Sequence, residues 1–191
     1  MAKHGSRAAG GKSRRHSLLR TTVAFMGWVV IATGTPDTTL WAGGFSSSGE
    51  DPYSVAATRS GVARDILVAI VGAESAYHPY ALNIAGHQKF CHTRAEAEAA
   101  IDSTATDDID IGLMQINWHF WGAKSGMQRK DLLDPAKNLL LGASILREGL
   151  ARNGTLWHRI SNYHSGNPRE RDRYNQQVYD AYLRYKRGQV Q

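Results

Sequence analysis

The sequence predicts a mainly α-helical domain with one small β-hairpin, and an active-site cleft at the end of the first domain helix. Three observations predict it. Apolar residues recur at helical spacing over residues 54–75, 135–153 and 170–186. One stretch, residues 81–90, reads as a short hairpin turning at Gly86. Glu74 closes the apolar run that starts at Ile66, a position where a carboxylate does nothing for stability.

The elements follow in order. In the first helix, over 54–75, Ala63, Ile66, Leu67, Ile70 and Val71 form the inward stripe. His78-Pro79 ends it, since proline disfavours helix at the residue before it. After the hairpin, Thr93 caps a short helix over 94–101, with Glu96 placed as in a capping box. Residues 102–108 are polar and read as a loop. A short helix is expected after Gly112-Leu113-Met114-Gln115. Asp134 caps the next helix, Pro135 takes its first position, and Gly154 ends it after Asn153. Its inward face is Leu139, Leu140, Ala143, Leu146 and Leu150. A fifth helix over 156–164 carries Trp157, Ile160 and Tyr163, and Gly166 and Pro168 break it. The last helix, over 170–186, aligns Tyr174, Val178, Tyr182 and Tyr185.

Charge divides the chain. Residues 1–42 hold six of the 23 basic side chains but only one of the 17 acidic ones, so the overall +6 falls to +1 from residue 43 onward. The basic stretch to Arg20 precedes a short apolar core over 21–32, the pattern of a secretory signal. An uncleaved anchor is the alternative, against which the core is short for a membrane span. The mature protein is therefore expected in the periplasm without a stable membrane span. Residues 43–52 form a Gly/Ser linker, 53–187 the domain and 188–191 a tail. Arginines in the last third alternate with Glu170, Asp172 and Asp180, which describes a solvated helix face and not a nucleic-acid site. Cys91 is the single cysteine, so no intramolecular disulfide forms. His87, Cys91 and His92 match no standard zinc spacing, and no metal or cofactor is expected.

The chemistry centres on Glu74. It lies four residues after Ile70, three after Val71 and seven after Leu67, so it shares their buried face. Burial and the negative end of the helix dipole both disfavour its ionisation. A carboxylic acid still protonated near neutral pH is what general-acid cleavage of a glycosidic bond needs. A helix-end glutamate reaching out to water is the plain alternative. Residues 112–117 add a substrate grip: Met114 offers a soft apolar surface, and Gln115 and Asn117 offer amides suited to hydroxyl and N-acetyl groups. Trp118, Phe120 and Trp121 suit sugar faces or a core equally.

Glu74-Ser75, then Gly112-Leu113-Met114-Gln115, then Asn162-Tyr163-His164-Ser165-Gly166 together resemble the ordered motifs of lytic transglycosylases with a soluble-lytic-transglycosylase, goose-lysozyme-like domain. Among these the chain is most similar to the small members associated with conjugation and type IV secretion. The resemblance implies an α+β lysozyme-like fold and peptidoglycan glycan strands as substrate. Components of a secretion or conjugation machine are implied as further partners. It also implies that Glu74 protonates the bond between N-acetylmuramic acid and N-acetylglucosamine, then acts as base while the C6 hydroxyl closes onto C1. Tyr163 matches the family tyrosine lying against the glutamate, Ser75 shapes the site, and Met114, Gln115 and Asn117 line sugar subsites. Two features depart from the common pattern. His164 and Ser165 stand where Asn and Ala are usual, which makes His164 a substrate-binding candidate or a helix-end histidine. Asp110 lies where goose-type lysozymes carry acids that position water, which keeps a hydrolytic muramidase as the rival. A non-catalytic wall-binding subunit is the third reading.

Overall fold

The structure, a computed structural model, describes residues 50–151, 154–161, 163–164 and 167–189. The expected signal segment and residues 43–49 of the linker lie outside these residues. Six helices and four short strands build the described part: α1 (Pro52–Ser60), α2 (Arg64–Glu74), β1 (Ala81–Ile84), β2 (His87–Phe90), α3 (Arg94–Asp102), β3 (Ile109–Ile111), β4 (Ile116–Asn117), α4 (Pro135–Leu150), α5 (Leu156–Ser161) and α6 (Pro168–Lys186). Two 3-10 turns, Gly122–Lys124 and Arg129–Leu133, connect β4 to α4.

The single helix expected over 54–75 is two. Asp51 caps α1, its carboxylate accepting from Tyr53 N–H (3.3 Å) and Ser54 N–H (3.2 Å). Gly61 ends α1 at φ +73°, donating its N–H to the Ala57 carbonyl (2.8 Å). A left-handed glycine closes a helix without steric cost, and a second helix starts at Arg64. The apolar spacing runs through this break, so periodicity alone hides it. Ala63 is exposed, while Ile66, Leu67, Ile70 and Val71 are buried. Glu74 therefore ends the second domain helix, not the first.

The β element is also larger than one hairpin. Strand order is β2-β1-β3-β4, all antiparallel. β1 and β2 turn through Ala85 (φ +49°) and Gly86 (φ +83°), as a tight hairpin requires. β3 pairs with β1, and β4 returns alongside β3. Residues 112–115 are thus the turn between β3 and β4, and the residues that follow begin as strand, where a short helix was expected.

The helical caps follow the expected chemistry. Thr93 Oγ1 accepts from Glu96 N–H (3.1 Å), and Asp134 Oδ1 accepts from Ala136 N–H (2.9 Å) and Lys137 N–H (3.0 Å). Every residue of α4 from Asn138 to Leu146 is buried, so this helix is the spine of the core, not a half-exposed element. α5 stops at Ser161, and Tyr163 and His164 lie in the turn beyond it. Pro168 opens α6, with Asn167 as its cap, two residues earlier than expected. α6 buries Tyr174, Val178 and Ala181 against α2, leaving Tyr182 and Tyr185 half-buried. Among the described residues no helix is long and apolar enough to cross a membrane.

Candidate active site

Glu74 is 4% exposed at the last residue of α2. Its Oε1 accepts a hydrogen bond from the Tyr174 hydroxyl on α6, at 2.7 Å. Its Oε2 is buried with no partner among the described residues. Burial pushes its pKa up to about 8; the Tyr174 bond opposes this and the charge of Asp110 adds to it. The carboxyl is therefore protonated at neutral pH, with Oε2 as the place for the proton.

Asp110 is the second buried acid, 5% exposed at the middle of β3. The sheet register places it opposite Asn83 on β1 and Asn117 on β4. Both amides donate to it: Asn83 Nδ2 to Oδ2 (2.9 Å) and Asn117 Nδ2 to Oδ1 (2.8 Å). Burial pushes its pKa up to about 6, against the pull of those two bonds. It is the stronger acid of the two, so it ionises first, and its charge then opposes ionisation of Glu74. The two carboxyls are held in different protonation states over the pH range between them.

The turn between β3 and β4 is built on Asn138 of α4, a residue with no exposed surface. Asn138 Nδ2 donates to the Ile111 and Leu132 carbonyls (2.8 Å each), and Oδ1 accepts from Met114 N–H (2.8 Å). Gly112 sits at φ +79° directly against this amide; a Cβ there would come 2.5 Å from the Leu132 carbonyl oxygen. Gln115 also adopts a left-handed conformation, φ +44°. Its side-chain amide donates to the Gly112 carbonyl (2.9 Å) and the Ala81 carbonyl (3.1 Å), tying the turn to β1.

The residues expected to grip substrate are thus largely internal. Met114 is fully buried against Gly142, and Gln115 and Asn117 are 5% and 2% exposed with their amides committed to the turn and to Asp110. Asn117 Oδ1 also accepts from Phe120 N–H (3.1 Å). Ser75 is buried, and its hydroxyl donates back to the Val71 carbonyl (3.2 Å). The Tyr163 hydroxyl donates to the Met114 carbonyl (2.9 Å), and the charge of Glu74 raises the Tyr163 pKa further above its burial-driven rise. His164 is half-buried and stacks flat on the Tyr174 ring, centroids 4.4 Å apart. Burial pushes its pKa down to about 4, with the charge of Glu170 opposing, so the imidazole is neutral at pH 7. Glu74, Asp110, Tyr163, Tyr174 and His164 form one cluster, linked by a hydrogen bond, a ring stack and mutual electrostatics. Sequence reasoning placed Tyr174 only on a core-facing stripe and did not single out Asn83 or Asn138. A tyrosine on an otherwise charged helix, one turn from Val178, was the one available signal.

Residues 51–184 match the family model described as the transglycosylase SLT domain. The chain belongs to this family. SLT-domain proteins are lytic transglycosylases acting on peptidoglycan, so the cluster lies in an enzyme of lysozyme-like fold. The chain is 29% identical to the invasion protein IagB of Salmonella typhimurium over 154 residues, covering 77% of this chain and 84% of that protein. The IagB protein of Salmonella typhi shows the same identity and coverage. No solved structure matches the chain. The SLT domain occupies almost all of the described residues.

Proposed function

We propose that Glu74 is both the acid and the base of a transglycosylation that cuts the β-1,4 bond between N-acetylmuramic acid and N-acetylglucosamine. The carrying observation is its carboxyl: buried, protonated at neutral pH, with one oxygen held by Tyr174 and the other without a hydrogen-bond partner among the described residues. Oε2 gives its proton to the glycosidic oxygen as the C1–O bond breaks. The substrate's acetamido oxygen bonds to C1 and stabilises the developing cation. The C6 hydroxyl oxygen then displaces it at C1, and its proton returns to Glu74. The product is a 1,6-anhydromuramic end, and no water is consumed. Ser75, Met114, Gln115, Asn117, Tyr163 and His164, the substrate-binding candidates, support the reading from beneath the site. They hold the turn, the α2 terminus and the Tyr174 ring that frame the acid.

Hydrolysis is the second reading, favoured by one observation. Asp110 is a buried carboxylate within electrostatic reach of Glu74 and ionises before it. Such a pair can position water or stabilise a glycosyl cation. Mass analysis of muropeptides released from purified peptidoglycan separates the readings. Anhydro ends support transglycosylation, reducing ends support the muramidase, and no release supports a non-catalytic wall-binding subunit. Glu74→Gln should lower kcat by about 100-fold or more; a variant as fast as the parent would sink the mechanism. We also infer export to the periplasm and local wall opening for a secretion or conjugation apparatus. The support is the basic and apolar N-terminal pattern, the resemblance to small secretion-associated enzymes, and the likeness to an invasion protein. Equal wall cleavage in cells with and without such an apparatus would remove the second part.

A further inference from the structure

Immediately after Glu74 the backbone does something that its residues disfavour. Ala76 (φ +50°) and Tyr77 (φ +67°) are consecutive left-handed residues, and neither is glycine. A bulky residue in this region is strained and persists only where its surroundings enforce it. Here the carbonyl of Val71 gathers Ser75 N–H (3.0 Å) and Tyr77 N–H (3.5 Å), and His78 N–H bonds the Ser75 carbonyl (3.0 Å). The tight turn throws the Tyr77 side chain back over α2.

It lands on Gly72. A Cβ at position 72 would collide with the Tyr77 hydroxyl, would lie 2.8 Å from Tyr77 Cζ, and would press on Ala181 of α6 at 3.2 Å. Gly72 has an ordinary helical backbone, so its missing side chain answers to space and not to conformation. The Tyr77 hydroxyl is buried there with no hydrogen-bond partner among the described residues. An orphaned hydroxyl is a net cost, so the ring is not held in place by that group. What the ring does is fill the gap where α2 meets α6, half a turn from Glu74. The same two helices bring Tyr174 to the Glu74 carboxyl.

We propose that Tyr77 is a positioning residue for Glu74: a wedge between the last turn of α2 and α6 that sets the spacing at which the Tyr174 hydroxyl meets the acid. The strained turn is what holds the wedge in place. The proposal rests on the reading of Glu74 as the acid of the reaction.

The test combines substitutions at positions 72 and 77, assayed on purified peptidoglycan for kcat, KM and the alkaline limb of the pH–rate profile. Gly72→Ala forces the wedge and α2 apart. It should lower kcat by about 10- to 100-fold, the scale of a sub-ångström to ångström displacement of a reacting group, with KM within about twofold. Water admitted to the carboxyl should move the alkaline limb toward lower pH. Tyr77→Ala should show the same pattern, and Tyr77→Phe, which keeps the ring, should restore kcat and limb. Leucine at 77 lacks both atoms that a Cβ at 72 would strike. The kcat of the double variant Gly72→Ala/Tyr77→Leu should therefore exceed, by about threefold or more, the value expected from multiplying the losses of Gly72→Ala and Tyr77→Leu. Additive losses, or thermal destabilisation with an unmoved limb, would overturn the proposal. If Gly72→Ala does not fold, the Tyr77→Ala and Tyr77→Phe pair decides alone. Parent-like profiles throughout, beside an inactive Glu74→Gln, remove the wedge and leave the acid; an active Glu74→Gln removes both.

Discussion

Among the described residues the Glu74 carboxyl has one donor, the Tyr174 hydroxyl, and that bond works against the burial that raises its pKa. Tyr174→Phe removes the hydrogen bond that stabilises the carboxylate. The alkaline limb of the pH–rate profile should move to higher pH, and kcat at neutral pH should fall by about tenfold as the carboxyl loses its orientation. A limb that stays put would mean that the bond does not act on the ionisation that limits the rate. The burial of Glu74 was legible from its spacing to Leu67, Ile70 and Val71. Its partner was not. Tyr174 lies 100 residues away, and a helical stripe says which way a side chain faces but not which one it meets. The same limit applies to Gln115 and Asn117: their amides suit a sugar on chemical grounds, yet the fold spends them on backbone carbonyls and on Asp110.

Between residue and molecule, the turn joining β3 and β4 is the element that carries the most risk. It hangs on the buried amides of Asn138 and Gln115, and both Gly112 and Gln115 are left-handed. Asn138→Leu would strand the Ile111 and Leu132 carbonyls and the Met114 N–H, and should cost about 2–5 kcal/mol in urea unfolding. Gly112→Ala adds strain at φ +79° to a clash with that amide, and should cost at least as much as a lost cap, about 1 kcal/mol or more. A loss within about 0.5 kcal/mol for either would mean that the turn adapts. Helices announced themselves because caps and prolines mark their starts; α4 begins where Asp134-Pro135 says. β3 and β4, at three and two residues, are too short to show alternation, and their residues are buried on every side. The break at Gly61 escaped because the apolar rhythm of α1 and α2 continues across it.

At the scale of the whole molecule, two buried acids make folding depend on pH. Glu74 rises from 4.5 to about 8 and Asp110 from 3.8 to about 6. A carboxyl whose folded pKa is raised keeps its proton after the unfolded chain has released it. Its contribution to stability is complete below the ordinary carboxylate range and is lost as pH rises toward the folded value. The native state should therefore weaken from about pH 4 to about pH 8 on account of this pair. Glu74→Gln should flatten the upper part of that decline, by at most about 1.4 kcal/mol per pH unit. Urea melts at about pH 5, 6.5 and 8 on parent and variant measure it, and parallel declines would contradict the assignment. Such instability in the resting enzyme is the expected companion of a charge held where folding alone would not put it.

The link between Glu74 and Tyr174 also has a meaning in time. A ribosome delivers the acid early and its hydroxyl partner 100 residues later, in the last helix. Without α6 docked against α2, the carboxyl lacks its hydroxyl donor and the packing of that helix. A chain stopped before α6 lacks the helix that packs on α2, and with it part of the burial that keeps the proton on the glutamate. The order of the elements along the chain thus sets the acid ahead of the helix that buries and orients it.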